Sequence, residues 1–414
     1  MKIFYNPSFI VTTKSREAIK GREQGKIDLS YGKSILEENG LIKDIVPNHI
    51  AEKLMADSNA GVEDCSGFGM FPGFTDPHTH IMYSGNRTEE FYQRIRGESY
   101  LDILKKGNGI LKTVRDTRGK TSQQILEDSM GRIREEIRHG VTSIEIKSGY
   151  GLDTDTELSM IEAMSMLKAK DAIDVVSTFL GMHSIPAGSD EKTYTDFVLQ
   201  SMLPKIRDKV DFVDCFCDQG AFSAESTDKL FEACEKTGLK LRVHADEISN
   251  IGCLDLAQKH RIVSADHLLK TNEDGIANLR DNGVIATILP ITAFSLNEKY
   301  ADARKFIDGN VPVAIGTDCS PLSPIPNMLF AMHLAVRSCG MTCEEALNAA
   351  TINSSAAVGM ISETGTIEIG KRANFSLFDV AEPCELPYRW SDEILNSVYR
   401  NGVKIYAEQS YQSL

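Results

Sequence analysis

The chain is expected to fold as a (β/α)8 TIM barrel with a small β-sandwich built from both chain termini, an α/β protein overall. Eight apolar strand candidates, at 72–80, 142–150, 174–184, 210–218, 240–247, 261–268, 283–290 and 311–319, alternate with helical patterns. Short strands and tight turns occupy both ends of the chain. No glycine-rich phosphate loop follows the first strand, so a nucleotide-binding, doubly wound sheet is disfavoured. The expected division is residues 1–70 and 361–414 for the β-sandwich and 71–360 for the barrel.

At the N-terminal end, strands at 34–36 and 41–45 flank Asn39-Gly40, two residues that tolerate the positive φ of a tight hairpin turn. At the C-terminal end, strands are expected at 366–369 and 374–378, separated by Gly370-Lys371-Arg372. A further hairpin turns at Asn401-Gly402 within 398–406. Between the barrel strands, Met160, Met164 and Leu167 share one face of a helix spanning 154–169. Another helix is predicted from an N-cap at Ser223 through Leu230, Phe231 and Cys234 to a stop at Gly238.

At 414 residues the chain exceeds ordinary single-domain size. Its hydrophobic fraction of 42% and charged fraction of 25% suit a globular protein. Lys+Arg 45 against Asp+Glu 59 leaves −14, with a pI near 5.2. Such a surface repels phosphates, which disfavours nucleic acid as a partner. An anionic small-molecule substrate would need a local basic anchor. No apolar run suggests a signal peptide or a membrane span. Nine cysteines without framework spacing point to buried free thiols in a reducing cytoplasm, with Cys215 and Cys217 as packing residues.

The chemistry centres on Phe71-Pro72-Gly73-Phe74-Thr75-Asp76-Pro77-His78-Thr79-His80. On a strand, side chains two apart point the same way, so His78 and His80 form a chelating pair suited to zinc or iron. Taken alone, the pair is equally compatible with two surface histidines after a proline. In a barrel, function collects at the C-terminal ends of the strands. Those ends carry His78 and His80 on the first strand, Lys147 and Tyr150 on the second, and His183 on the third. His244 and Glu247 end the fifth, His267 the sixth and Asp318 the eighth. His49, His139 and His260 fall in loops or helices, where a solvated position is the default. His78, His80, His244 and Asp318 make an N3O metal set, and the metal would lower the pKa of a water towards neutrality. Glu247 is placed to protonate a leaving nitrogen, and His267 to stabilise an oxyanion or serve as a second base. The fourth strand ends Asp214-Cys215-Phe216-Cys217-Asp218 without a lysine to bridge two metals. A single divalent ion, Zn2+ or Fe2+/Fe3+, is therefore expected, and Lys147 is assigned a structural or substrate-side place.

These motifs resemble the amidohydrolase superfamily of metal-dependent hydrolases and, within it, the imidazolonepropionase family. The resemblance runs through Asn86-Arg87-Thr88-Glu89-Glu90-Phe91, Gly107-Asn108-Gly109-Ile110 and Glu145-Ile146-Lys147-Ser148-Gly149-Tyr150-Gly151-Leu152. It continues through Thr178-Phe179-Leu180-Gly181-Met182-His183, His244-Ala245-Asp246-Glu247, Ser264-Ala265-Asp266-His267 and Gly316-Thr317-Asp318. It implies hydrolysis of the cyclic amide of 4-imidazolone-5-propanoate to N-formimidoyl-L-glutamate in histidine degradation, by a homodimer. Glu247, His267 and Asp318 would be catalytic. Arg87, Tyr150, His183, Glu247, Ser320 and Ser323 would contact substrate, with Arg87 meeting the carboxylate as a planar, bidentate guanidinium. One departure stands out. Where the family continues Asn-Pro-Gly-Ser/Thr after the metal aspartate, this chain has Ser320-Pro321-Leu322-Ser323 after Asp318-Cys319. A relative acting on another cyclic amide, a nucleobase-type aminohydrolase and a metal-less scaffold are the alternatives.

Overall fold

The computed structural model describes residues 1–57, 59–98 and 108–407. Gly107, at the head of the Gly-Asn-Gly-Ile stretch, lies outside them. The barrel strands are β1 (Phe74–Asp76), β2 (Val141–Lys147), β3 (Asp174–Met182), β4 (Phe212–Cys217), β5 (Lys240–Ala245), β6 (Ile262–His267), β7 (Ile285–Ile288) and β8 (Val313–Ile315). Each pairs in parallel with the next, so sheet order follows chain order, as βαβ crossovers require.

Closure between β8 and β1 is made beyond the ladder. Asp318 N–H donates to His78 O at 3.0 Å and His80 N–H to Cys319 O at 2.9 Å, forming the Thr79–Cys319 bridge. The Asp76 carboxylate adds bonds from Thr317 N–H and Oγ1. Gly316 permits the approach, because a Cβ there would stand 2.9 Å from Leu289 Cδ2 and 3.1 Å from His78 Cβ. The barrel thus closes on the segments that carry His78, His80 and Asp318.

The candidate strand at 72–80 splits. Gly69–Pro72 joins a sheet outside the barrel, Gly73 makes the crossing, and β1 keeps three residues. Two sheets stand beside the barrel. One is four-stranded, in the order Leu41–Pro47, Lys33–Glu38, Lys2–Tyr5, Gly61–Asp64. The other is six-stranded, running Val403–Ala407, Leu395–Arg400, Phe375–Phe378, Gly69–Pro72, Phe9–Thr12, Asp28–Ser30. They share a core in which Phe4 meets Phe375 and Tyr399 edge-on at 4.6 and 4.9 Å. Both hairpin turns have positive φ at each central residue, Asn39 and Gly40, then Asn401 and Gly402. Arg372, Asn374 and Arg400 converge on Asp174 at the start of β3, linking these sheets to the barrel.

Residues 366–369 do not form the expected strand. Ile367 is buried in the shared core, and the neighbouring backbone bonds Ile42 through Gly370 and Lys371 instead. Burial of one side chain, rather than a period-two ladder, produced its apolar pattern. The helices Thr154–Ala169 and Ala224–Glu235 carry their caps at Asp153 and Ser223.

Two further expectations are corrected. Cys217 and Cys253 are joined in a disulfide, so these two of the nine cysteines are not free thiols. The pairing joins the end of β4 to the first residue of a 3-10 helix, Cys253–Gln258, 36 residues on, a proximity that the barrel creates. His49 is exposed, but His139 and His260 are buried. His260 holds Glu235 through Nδ1 at 2.9 Å and Asp228 through Nε2 at 2.7 Å, so both ring nitrogens donate. Burial acts to lower its pKa, and the two carboxylates outweigh burial and raise it. The stabilisation is complete below the unfolded value of about 6.5 and fades as pH rises through the folded one. Wild type is therefore expected to lose more stability than His260→Gln between about pH 6 and pH 8 in urea titrations. Among the described residues, no helix is long and apolar enough to cross a membrane.

Candidate metal centre and active site

His78, His80, His183, Glu247 and Asp318 lie just beyond their strands, whereas His244 and His267 still belong to the last residues of the ladder in β5 and β6. The Nε2 atoms of His78 and His80 stand 3.3 Å apart, as do those of His244 and His80. Asp318 Oδ1 is 3.6 Å from His78 Nε2 and 3.5 Å from His80 Nε2. Ligands about 2.0–2.1 Å from a tetrahedral centre are separated by about 3.3 Å, so this spacing fits a divalent cation. Burial is the first cause holding His78 and His80 well below ordinary imidazole pKa, which keeps their lone pairs available. Asp318 turns its other oxygen to Thr292 Oγ1, at 2.6 Å. His267 offers a further ring nitrogen within 4.8 Å of a His78 ring nitrogen and an Asp318 carboxylate oxygen.

Behind the cluster lies a buried ionic layer that the motifs alone do not reveal. Asp266 Oδ2 accepts from His78 Nδ1 at 2.7 Å, and Asp214 Oδ2 lies 3.1 Å from His244 Nδ1. Engaging Nδ1 leaves Nε2 as the ligand atom, the usual arrangement around a metal. Lys147 donates to Glu145 and Asp214, each at 2.9 Å, and Arg242 to Asp266 at 2.9 Å. Lys147 is wholly buried in this layer, which places it in the structure rather than beside a substrate. The available signal was a charge at every second position within buried strands: Glu145 and Lys147, Arg242 and His244.

Glu247 Oε2 is 3.6 Å from His267 Nε2. Burial, then the charges of Asp318 and Asp218, push the Glu247 carboxyl up to about 8, so it carries a proton at neutral pH. Burial likewise lifts Asp318 to about 6. Backbone strain collects at the same rim, with φ of 78° at His267, 50° at Asp318 and 55° at Asp246.

His183 stacks on His80 with ring centroids 4.9 Å apart, and Tyr150 lies 5.2 Å from His183. Burial, then His244, holds His183 down to about 3, hence neutral. Arg87 is buried, with Nε on Thr113 Oγ1 at 2.9 Å and Glu90 at 3.9 Å, and its charge acts on both Tyr150 and His183. Ser320 and Ser323 behave differently. Ser320 Oγ accepts from Ser323 N–H at 3.2 Å, and Ser323 Oγ pairs with Ser295 Oγ at 2.8 Å. The Ser320 hydroxyl thus braces its own turn, the Ser323 hydroxyl ties that turn to the helix Pro290–Leu296, and Leu322 sits half-buried between them.

Residues 70–405 match the amidohydrolase family model. An imidazolonepropionase of Thermoplasma acidophilum is 40% identical over 410 residues, covering 98% of this chain and 97% of its own. One from Picrophilus torridus is 41% identical, covering 92% and 94%. The fold is also that of the E. coli guanine deaminase, at a TM-score of 0.75 over 99% of this chain and all of the other, with 16% identity. The chain belongs to the amidohydrolase family and, within it, to the imidazolonepropionases.

Proposed function

We propose that the chain hydrolyses the ring C–N bond of 4-imidazolone-5-propanoate, yielding N-formimidoyl-L-glutamate in histidine degradation. The observation that carries this reading is the near-full-length similarity to imidazolonepropionases, joined to a buried arginine, Arg87, held through Nε on Thr113.

His78, His80, His244 and Asp318 would hold one divalent ion, zinc or iron. When bound, it supplies Lewis acidity and brings a water's pKa towards neutrality. Arg87 receives the substrate carboxylate through its terminal nitrogens, while Nε stays on Thr113. Tyr150 and His183 orient the carboxylate and ring by hydrogen bonds. As water adds to the ring carbonyl, Asp318 is basic enough to take its proton, and His267 stands by to stabilise the developing oxyanion. Protonated Glu247 delivers its proton to the leaving ring nitrogen. Ser320 and Ser323 shape the pocket wall through their turn.

The test is a spectrophotometric assay on imidazolonepropionate with metal quantified in the same preparation. Ammonia release from a nucleobase, without turnover of imidazolonepropionate, overturns the reading. Arg87→Lys is expected to raise KM about 10- to 100-fold with kcat changed little, because a point charge cannot replace the planar fork. We further propose that 1–70 and 361–414 form one unit beside a barrel at 71–360, supported by the core shared between Phe4, Phe375 and Tyr399. A cytoplasmic homodimer is our expectation for assembly and location, to be checked by light scattering and cell fractionation.

A further inference from the structure

We propose that Asp218, at the tip of β4, is the positioning residue that sets Glu247 over the active site; this rests on the reading of Glu247 as proton donor. Asp218 is buried and takes no part in the histidine cluster. Its Oδ2 accepts the backbone N–H groups of Glu247 at 2.8 Å and Ile248 at 2.9 Å. Its Oδ1 accepts Ser249 N–H at 2.9 Å, Ser249 Oγ at 3.2 Å and Gln219 N–H at 2.7 Å. Three consecutive amides turned onto one carboxylate form an anion-binding nest, here occupied by a side chain of the same protein.

The geometry explains how a loop holds a proton donor in place. After β5 the chain reverses at Asp246, whose φ of 55° sends the next residue back across the rim. Asp246 is braced by Thr271 Oγ1 at 2.8 Å. Beyond Ser249 the loop returns to Cys253, joined to Cys217, the residue next to Asp218. The segment bearing Glu247 is therefore tied twice to the tip of β4, and among the described residues Asp218 is the one that accepts the backbone N–H of Glu247 itself. A shift of about 1 Å at a reacting group lowers the rate about 100-fold, so this hold bears directly on turnover.

The test compares D218N, D218E and E247Q as metal-loaded protein. An asparagine turns an NH2 group towards donors that need an acceptor, so D218N should lower kcat about 10- to 100-fold while KM moves less than about threefold. Metal content should stay unchanged, and the amides of residues 247–249 should exchange with solvent faster. D218E retains the carboxylate and should recover part of both effects; it carries the test if D218N does not fold. Because Asp218 acts through Glu247, D218N added to E247Q should leave the residual kcat unchanged. An equal loss in that background, or unchanged amide protection in both variants, overturns the proposal. Full activity in E247Q would instead overturn the donor role of Glu247, with amide exchange still deciding whether Asp218 holds the loop.

Discussion

His244→Ala is expected to abolish turnover, lowering kcat/KM by at least about a thousandfold and bound metal well below one ion per chain. His244 brings the third imidazole to a cluster whose other two, His78 and His80, come from one segment at the barrel closure. Without it, two nitrogens and one carboxylate remain. The loss should leave the fold intact, since the barrel closes through backbone bonds at His78, His80, Asp318 and Cys319. Circular dichroism checks this alongside metal analysis. Chelation of wild type should mimic the variant, and added zinc or iron(II) should restore activity. Asp266→Ala should weaken metal affinity about 10- to 100-fold through the lost bond to His78, and it should also cost stability, because buried Arg242 loses its carboxylate partner. Undiminished activity in a metal-free preparation would sink the mechanism.

Glu247→Gln is expected to lower kcat about 100- to 10,000-fold with KM and metal content close to wild type. Glutamine keeps the shape of the side chain and cannot deliver a proton to the leaving nitrogen. The pH profile supplies the sharper check. Only protonated Glu247 donates, so kcat should fall as pH rises through its pKa, about 8 without a bound cation. A cation nearby favours the carboxylate and moves this alkaline limb to lower pH. In the glutamine variant the limb should vanish. If it persists, another group titrates there and Glu247 is not the donor.

Much of the site was legible because its residues sit at positions with a periodic meaning. His78 and His80 are two apart, and His183, His244, His267 and Asp318 each end a strand candidate, so a barrel topology gathers them at one rim. Helix ends were legible too, since Asp153 and Ser223 cap by local bonds. Expectations failed where a pattern had two physical causes. The apolar alternation at 366–369 came from one buried isoleucine, not from a ladder. His260 falls in a loop or helix segment, where a solvated position is the default, yet two acidic side chains on another helix enclose it.

By itself, the sequence determined the barrel, the strand ends that carry its histidines, and the family, because these depend on residue order and local periodicity. The tertiary structure alone decided what surrounds those residues. It set Lys147 among Glu145 and Asp214, joined Cys217 to Cys253, turned Ser320 onto its own loop and Ser323 towards Ser295, and placed Asp218 beneath Glu247. Lys147 with Asp214, Cys217 with Cys253 and Asp218 with Glu247 are neighbours only after the strands have closed into a ring. Spacing along a chain carries no information about which strand tip will face which loop across it.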